Sequence, residues 1–216
     1  MRIIVPFAAE TPKTRLSGVL EDTERRAFAR AMLEDVLSTL REAGTDPEVL
    51  ATAAVDVNVP TIVDERPLTD AVNAVLTASE EAVAVVMADL ALATPASIDR
   101  LLNPDGGVDE PADADAGTDV TIAPGRGGGT NALVVRHPAF RVDYHGVSYR
   151  DHLQAARSVG AAVRTVDSHR LATDVDEPAD LAEVLLHGDG EARVWLVERG
   201  FELAIEGGRV GVERRP

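Results

Sequence analysis

Short apolar runs alternate with amphipathic stretches along this chain. The first run covers Arg2 to Phe7, and the most apolar one covers Ala82 to Ala88. Between them, apolar residues recur every three or four positions from Asp22 or Thr23 to Gly44, which predicts an α-helix. Strand-length runs that alternate with helical patterns indicate an α/β fold with a largely parallel sheet, because helical crossovers connect parallel strands.

The same patterns predict the remaining elements. Further strands are expected at residues 49–55, 60–63, 120–123, 132–136 and 162–166. Further helices are expected at 68–78, 94–102, 149–160 and 178–186. The tail around Gly207 and Gly208 has the pattern of a β-hairpin, with strands at 201–205 and 210–213.

The composition fits one domain over residues 1–216 and disfavours some classes of binding partner. Hydrophobic residues make up 45% of the 216, enough for a sizeable core. A net charge of -16 disfavours binding to nucleic acid or anionic membranes. No apolar run approaches the roughly 18 residues of a membrane span, and no leader is evident, so we expect a cytoplasmic protein. The absence of cysteine excludes zinc-thiolate sites, and we find no paired metal-ligand spacing among the five histidines.

The acidic residues carry two further interpretations. They are spread over the whole chain while lysine is almost absent. We interpret this composition as adaptation to high salt, because screening shortens the distance over which the acidic residues repel each other. Residues 104–119 are rich in Asp, Gly, Ala and Pro and are expected to form a surface loop. A weak calcium-loop pattern at 113–117 lacks the acidic residues needed to complete it, so calcium is disfavoured.

The only lysine of the chain, Lys13, follows the first predicted strand and is accompanied by Arg15. Open α/β sheets bind ligands at the carboxyl ends of their strands. A compact ammonium group there is suited to hold a phosphate as a point charge. The alternative is an ordinary surface cation left by a bias towards arginine.

Two acidic segments are candidates for a metal site. Asp89 ends the buried run at 82–88, where a carboxylate suits Mg²⁺; the alternative is a helix cap, but Thr94 already offers one. Alternation along an extended backbone sends Asp174 and Asp176 to the same side, where both could face one metal. Alternatively, Asp176 begins the helix that Pro178 opens.

The segment 124–133 contains three adjacent glycines, followed by Thr130 and Asn131. Glycines allow the backbone to approach a ligand closely and to direct amide groups at an anion, while Arg126 adds charge. The segment matches neither a P-loop nor a dinucleotide-binding turn, because a strand follows it. A flexible turn is the alternative.

Together these segments resemble the CofC-type 2-phospho-L-lactate guanylyltransferase family of coenzyme F420 biosynthesis, which belongs to the nucleotide-diphospho-sugar transferase-like nucleotidyltransferases. The resemblance covers nearly the whole chain. It is carried by motifs in the same order, at residues 12–17, 24–37, 88–90, 128–133, 148–152 and 174–181.

The resemblance implies a three-layer α/β/α, Rossmann-like domain that transfers GMP from GTP to 2-phospho-L-lactate, and it implies a homodimer. The implied catalytic residues are Lys13, Arg15, Asp89 and Asp176, the first three of which bind the nucleotide. Mg²⁺ is implied at Asp89, Asp174 and Asp176. The implied acceptor-binding residues are Arg126, Gly129, Thr130, Asn131, Gly146 and Ser148.

Two departures from the family pattern leave the acceptor open. Ala91 replaces an expected proline, and Tyr144-His145-Gly146 replaces a Phe-Gly pair before Ser148. Phosphoenolpyruvate and 3-phosphoglycerate remain alternative acceptors. A molybdenum-cofactor or sugar-phosphate nucleotidyltransferase is disfavoured because residues 8–11 contain no glycine, and a non-catalytic protein is disfavoured because all three aspartates are present.

Overall fold

The computed structural model describes residues 1–10, 12–104, 117–206 and 208–215. A seven-stranded sheet has the order β3-β2-β1-β4-β6-β5-β7, and a separate hairpin pairs β8 with β9. The strands are β1 Arg2–Phe7, β2 Pro47–Ala51, β3 Thr61–Val63, β4 Val83–Val86, β5 Val120–Pro124, β6 Thr130–Val135, β7 Val163–Thr165, β8 Phe201–Glu206 and β9 Arg209–Arg214.

Seven α-helices and one short 3-10 helix, Thr14–Gly18, connect these strands within the described ranges. The helices are α1 Asp22–Glu42, α2 Leu68–Ala78, α3 Pro95–Leu102, α4 Ser148–Val159, α5 His169–Ala172, α6 Asp180–His187 and α7 Glu191–Glu198. None of these helices is long and apolar enough to cross a membrane.

The direction of the strands brings several loops to one edge of the sheet. Neighbouring strands are parallel throughout the large sheet except at β6, which is antiparallel to both β4 and β5. The start of β6 therefore lies beside the carboxyl ends of β4 and β5, with Ala132 opposite Val86 and Thr130 opposite Pro124. The loops after β1 and β4 and the turn between β5 and β6 consequently meet at this edge.

Helices cover both faces of the sheet, as the three-layer prediction requires. On one face, α1 and α3 pack against side chains such as Val5, Val86 and Val134. On the other, α2 and α4 pack against Ile4, Val85 and neighbouring residues. Alternate residues of the central strands thus enter opposite core layers, and strands buried on both faces need the nearly continuous apolar runs seen in the sequence.

A third apolar cluster lies beside the sheet, where α1 packs against α6, α7 and β8. Phe28 of α1 and Trp195 of α7 are its largest aromatic contact, with ring centroids 5.2 Å apart. The hairpin extends from this cluster and leaves Leu203, Ile205 and Val210 exposed.

Most predicted elements are confirmed, with four corrections. The strand predicted at 49–55 ends at Ala51, and the helix predicted from Pro178 begins at Asp180. The helices α5 and α7 were not predicted. Thr94 is the N-cap of α3, as expected. Most of the acidic loop predicted at 104–119, including the weak calcium pattern, lies outside the described residues.

Candidate active site

Lys13 reaches the site from an unusual backbone conformation. Its φ of 54° and ψ of 44° are left-handed, and it is the only residue other than glycine with positive φ in the described part of the chain. Such a conformation is costly for a residue with a Cβ and persists only where the surroundings impose it. Here the Lys13 carbonyl accepts the first hydrogen bond of the 3-10 helix, from Leu16 N at 3.0 Å.

The ammonium group of Lys13 lies between two carboxylates. Lys13 Nζ is 2.6 Å from Asp89 Oδ2 and 2.7 Å from Asp176 Oδ1. Its side chain is only 10% exposed. Burial lowers the pKa of Lys13, but the charges of Asp89 and Asp176 and their hydrogen bonds outweigh burial and raise it above the ordinary value. The lysine therefore remains charged.

Asp89 brings the end of β4 into contact with the segment between α5 and α6. Its backbone carbonyl accepts a hydrogen bond from Val175 N at 3.2 Å, which places Asp174 and Asp176 on either side of that contact. The Oδ2 atom of Asp89 bonds Lys13, whereas its Oδ1 is buried and has no hydrogen-bond partner in the described part of the chain. An unpartnered buried oxygen is costly and calls for an explanation such as an ion.

Asp174 and Asp176 both face this cluster, since Val175 between them points into the core. Burial raises the pKa of Asp174; the hydrogen bond from Asn131 opposes this effect, and the charges of Asp89 and Asp176 add to it. Arg15, mostly exposed, approaches Asp176 with Nη1 at 3.7 Å from Oδ2. The predicted lysine, arginine and three aspartates are thus brought together.

The glycine-rich turn between β5 and β6 adjoins the aspartates through Asn131. Asn131 Nδ2 donates to Asp174 Oδ1 at 3.1 Å and to the carbonyl of Leu171 at 2.9 Å. A Cβ at position 125 would collide with the Asn131 amide, so Gly125 is needed for this packing. Gly128, with φ of 85°, adopts a conformation suited to glycine.

Thr130 and Ser148 are buried and bonded to each other. Thr130 N donates to Ser148 Oγ at 2.9 Å, and Gly129 lies beside both residues. Ser148 is the first residue of α4, so this pair marks the positive end of a helix of 12 residues. Gly146 lies two residues earlier, in an exposed loop with φ of 55°.

Arg126 is directed elsewhere. Its Nη2 lies 2.8 Å from Asp180 Oδ1, and its Nη1 lies 3.8 Å from Glu183 Oε1. Asp180 also accepts from the backbone N–H groups of Asp176 and Glu177, at 3.0 and 2.8 Å. Arg126 therefore supports the segment that carries Asp176, and its predicted contact with an acceptor would require this ion pair to open.

Sequence reasoning missed His152 as part of the site. His152 is fully buried; its Nε2 accepts from Asp143 N at 3.0 Å, so its Nδ1 carries the proton and donates to Thr130 Oγ1, 2.8 Å away. Burial lowers its pKa to about 4, which keeps the ring neutral at physiological pH. The helical spacing of four residues between Ser148 and His152 was the available signal.

Two cavities share a wall at this edge of the sheet. One, of about 200 Å³, is lined by Lys13, Asp89, Asp176 and apolar residues. The other, of about 160 Å³, is lined mainly by apolar side chains together with Asp64 and Arg66. Both contact Pro6, Phe7, Ala8 and Met87, so a ligand that has an apolar ring and a polyanionic tail can span them.

The fold, which gathers one lysine and three aspartates at one edge of its sheet, is similar to that of nucleotide-diphospho-sugar transferases. The sheet resembles a solved structure from Desulfovibrio desulfuricans G20 assigned to the nucleotide-diphospho-sugar transferases, with a TM-score of 0.71, 15% identity and coverage of 91% of this chain and 94% of that one. It also resembles CMP:2-keto-3-deoxy-manno-octonic acid synthetase complexed with CTP, with a TM-score of 0.52, 14% identity and coverage of 91% and 98%.

The family is shown by sequence. A family model described as "Guanylyl transferase CofC like" matches residues 1–214. A protein of Halomicrobium mukohataei named 2-phospho-L-lactate guanylyltransferase is 58% identical over 99% of this chain and 100% of its own length. One of the same name from Haloferax volcanii is 54% identical over 99% and 98%. The chain belongs to the guanylyl transferase CofC-like family.

Proposed function

We propose that this protein transfers GMP from GTP to 2-phospho-L-lactate, giving lactyl-2-diphospho-5'-guanosine and pyrophosphate, as the name of its relatives describes. The observation that carries the proposal is the Lys13 ammonium held between Asp89 and Asp176 at the carboxyl edge of the sheet. The family resemblance supports a role for this reaction in coenzyme F420 biosynthesis.

The aspartates fit a magnesium ion. Asp89 Oδ1 is buried and has no partner within the described ranges, and carboxylate oxygens are the ligands that Mg²⁺ prefers. Asp89, together with Asp174 or Asp176, would hold the ion. When bound, Mg²⁺ would neutralise charge on the triphosphate and make the α-phosphorus easier to attack.

Lys13 and Arg15 supply the remaining positive charge. The total charge of the chain is -16, so two anionic substrates need local cations to be brought together. The raised pKa of Lys13 keeps its ammonium charged. The ammonium, which bonds Asp89 and Asp176 in the structure, would also contact a phosphate oxygen of GTP. Arg15 is mostly exposed, and its guanidinium would contact the triphosphate.

The two adjoining cavities suggest how GTP is placed. The triphosphate occupies the cavity beside Lys13 and Asp89, and the nucleoside extends into the one lined by Leu50, Leu68 and Asp64. The Asp64 carboxylate is an acceptor that suits the two neighbouring N–H donors of a guanine edge. Its present partner, Arg66, is exposed on the surface.

The acceptor is assigned to the turn between β5 and β6. The positive end of α4 favours an anion, and Thr130, Asn131 and Ser148 lie near it. An acceptor phosphate oxygen attacks the α-phosphorus of GTP while the bond to pyrophosphate breaks. The attacking oxygen is already anionic, so positioning and charge neutralisation carry the catalysis and no general base is needed.

The test is acceptor-dependent release of pyrophosphate. The protein is incubated in high salt with GTP and Mg²⁺, and with 2-phospho-L-lactate, phosphoenolpyruvate, 3-phosphoglycerate or no acceptor, and the product is identified by mass spectrometry. Release that depends on 2-phospho-L-lactate, together with its guanosine diphosphate diester, is the expected result. Release with another acceptor only, or with CTP or ATP in place of GTP, would overturn the assignment.

We also propose that the protein works at high salt. The acidic surface and the occurrence of close relatives in halophilic genera support this proposal. Screening of surface repulsion should raise the melting temperature as potassium chloride increases to molar concentrations. A melting temperature that does not change with salt would contradict it.

A homodimer is the assembly that we propose. The exposed apolar side chains Leu203, Ile205 and Val210 on the terminal hairpin would be covered in such a dimer. Sedimentation in high salt should give twice the mass of one chain, and an Ile205→Glu variant should sediment as a monomer. A wild-type monomer at micromolar concentration would refute the proposal.

A further inference from the structure

A cluster of two imidazoles and a carboxylate lies outside the proposed magnesium site. His169 begins α5, and Glu183 and His187 lie four residues apart on one face of α6. One donor atom from each of the three lies within 4.8 Å of the other two, and they form the one such group in the described ranges. No paired spacing of histidines is visible in the sequence because the fold, rather than the local sequence, brings His169 to α6.

The distances are close to those of a metal-bound set. Glu183 Oε2 lies 3.5 Å from His169 Nε2 and 3.7 Å from His187 Nε2. The two imidazole rings meet edge to face, with centroids 5.5 Å apart. Donor atoms at about 2.0–2.2 Å from one zinc ion are about 3.3–3.5 Å apart in a tetrahedral arrangement, so small side-chain rotations would suffice.

Neighbouring arginines hold the cluster in place. Arg170 Nη1 donates to the carbonyl of His187 at 2.6 Å, which ties α5 to the end of α6. Arg126 Nη1 approaches Glu183 Oε1 at 3.8 Å, so the other carboxylate oxygen, Oε2, is the one that faces both imidazoles. Such supporting contacts orient ligands before a metal arrives.

We propose that His169, Glu183 and His187 form a second metal site, which binds a transition-metal ion of the Zn²⁺ class. Imidazole nitrogens suit zinc, cobalt, nickel and copper, whereas Mg²⁺ prefers oxygen ligands such as those of Asp89, Asp174 and Asp176. The chemistry of the two donor sets thus separates two metals within one chain. The half-exposed imidazoles leave room for water to complete the coordination.

A metal ion at this site would affect the segment that carries Asp174 and Asp176. The helices α5 and α6 flank residues 173–179, the segment that carries Asp174 and Asp176. An ion that joins His169 to Glu183 and His187 would fasten the two ends of that segment to each other. Binding to the folded state alone also stabilises it in proportion to ligand concentration.

The test is metal binding to the full-length protein in excess Mg²⁺, which keeps the all-oxygen site occupied. Calorimetry with Zn²⁺ should give one equivalent with a dissociation constant of about 10 µM or tighter, in the range expected for three protein ligands. The visible spectrum of added Co²⁺ should show nitrogen ligation. The His169→Gln and His187→Gln variants should each bind at least about tenfold more weakly.

Two variants serve as matched controls. His145 is an exposed histidine on another loop, so His145→Gln should bind Zn²⁺ as the wild type does. Asp89→Asn should also retain Zn²⁺ binding, although its oxygen site is altered. Zn²⁺ should raise the melting temperature of the wild type and of His145→Gln, and not that of His187→Gln. Absence of binding to the wild type, or equal binding by all the histidine variants, would overturn the proposal.

Discussion

Asp35 and Asp89 are both partly buried aspartates, but they have different roles. Asp35 stabilises the fold, whereas Asp89 lies in the candidate active site. Asp35 on α1 accepts from Glu191 N at 2.6 Å with Oδ1 and from Ala192 N at 2.9 Å with Oδ2. It thereby caps α7, a helix far away in sequence. Among the described residues, the carboxylate of Asp89 bonds only Lys13, through Oδ2, and its buried Oδ1 has no partner.

The difference lies in how completely the carboxylate is satisfied. Both oxygens of Asp35 accept hydrogen bonds from backbone N–H groups at the start of α7. Asp89, in contrast, offers a free oxygen beside a charged lysine, which costs stability and provides binding capacity. A Cβ at position 190 would collide with the Asp35 carboxylate, so Gly190 is needed for this packing.

Removal of the lysine should have the largest effect. We expect Lys13→Ala to lose at least about a hundredfold in turnover, or about 2.7 kcal/mol of transition-state stabilisation, because the triphosphate loses its buried cation. Steady-state kinetics with GTP and 2-phospho-L-lactate measures this effect, and circular dichroism checks folding. Turnover like that of the wild type would refute the role of Lys13.

The free oxygen of Asp89 is tested by Asp89→Asn, which keeps the shape of the side chain and removes its charge. Turnover at fixed Mg²⁺ should fall at least about thirtyfold, and the Mg²⁺ concentration for half-maximal rate should rise. The melting temperature should change little. Unchanged dependence on Mg²⁺ would show that Asp89 does not hold the metal.

Asp35→Ala should have the opposite effects to Asp89→Asn, with a loss of stability and little change in turnover. Loss of the cap on α7 should lower the free energy of unfolding by about 1–2 kcal/mol. The catalytic rate per folded molecule should stay within about twofold of the wild type, since Asp35 does not face the cavity that contains Lys13. Denaturant unfolding measures the first quantity. A loss of turnover comparable to that of Asp89→Asn would break the distinction between the two aspartates.

Asp174→Asn should give the smallest effect and a gain in stability. Burial raises the pKa of Asp174, so its ionised form destabilises the folded state at neutral pH. The variant should melt about 2 °C higher at pH 7. This advantage should shrink as the pH falls through the raised pKa and vanish below the unfolded value near 3.9, where Asp174 is neutral in both the folded and the unfolded state. Equal melting temperatures at pH 7 would contradict this interpretation.

The sequence predicted the elements whose signals are local. The bounds of α2 and the cap at Thr94 follow from side chains within a few residues. The helix α7 was missed because its N-terminus depends on Asp35, which is distant in sequence. The periodicity of apolar residues does not indicate the direction of a strand, so the antiparallel orientation of β6 could not be predicted.

The candidate site divides in the same way. Open α/β sheets bind ligands at the carboxyl ends of their strands, so the sequence alone predicted Lys13 and Asp89 at one edge of the sheet. The ion pairs that join this lysine to two aspartates depend on how the loops fold and could not be predicted. The hydrogen bond from His152 to Thr130, and the ion pair that draws Arg126 to Asp180, were missed for the same reason.

A crystal structure with Mn²⁺ and a GTP analogue that cannot be cleaved between the α- and β-phosphorus would show whether Asp89 holds the metal and Lys13 the triphosphate. Anomalous scattering locates the manganese. We expect manganese in contact with Asp89 Oδ1 and the ammonium of Lys13 in contact with the triphosphate. Nucleotide bound without metal at Asp89, or with Lys13 still bridging Asp89 and Asp176 and touching no phosphate, would contradict this expectation.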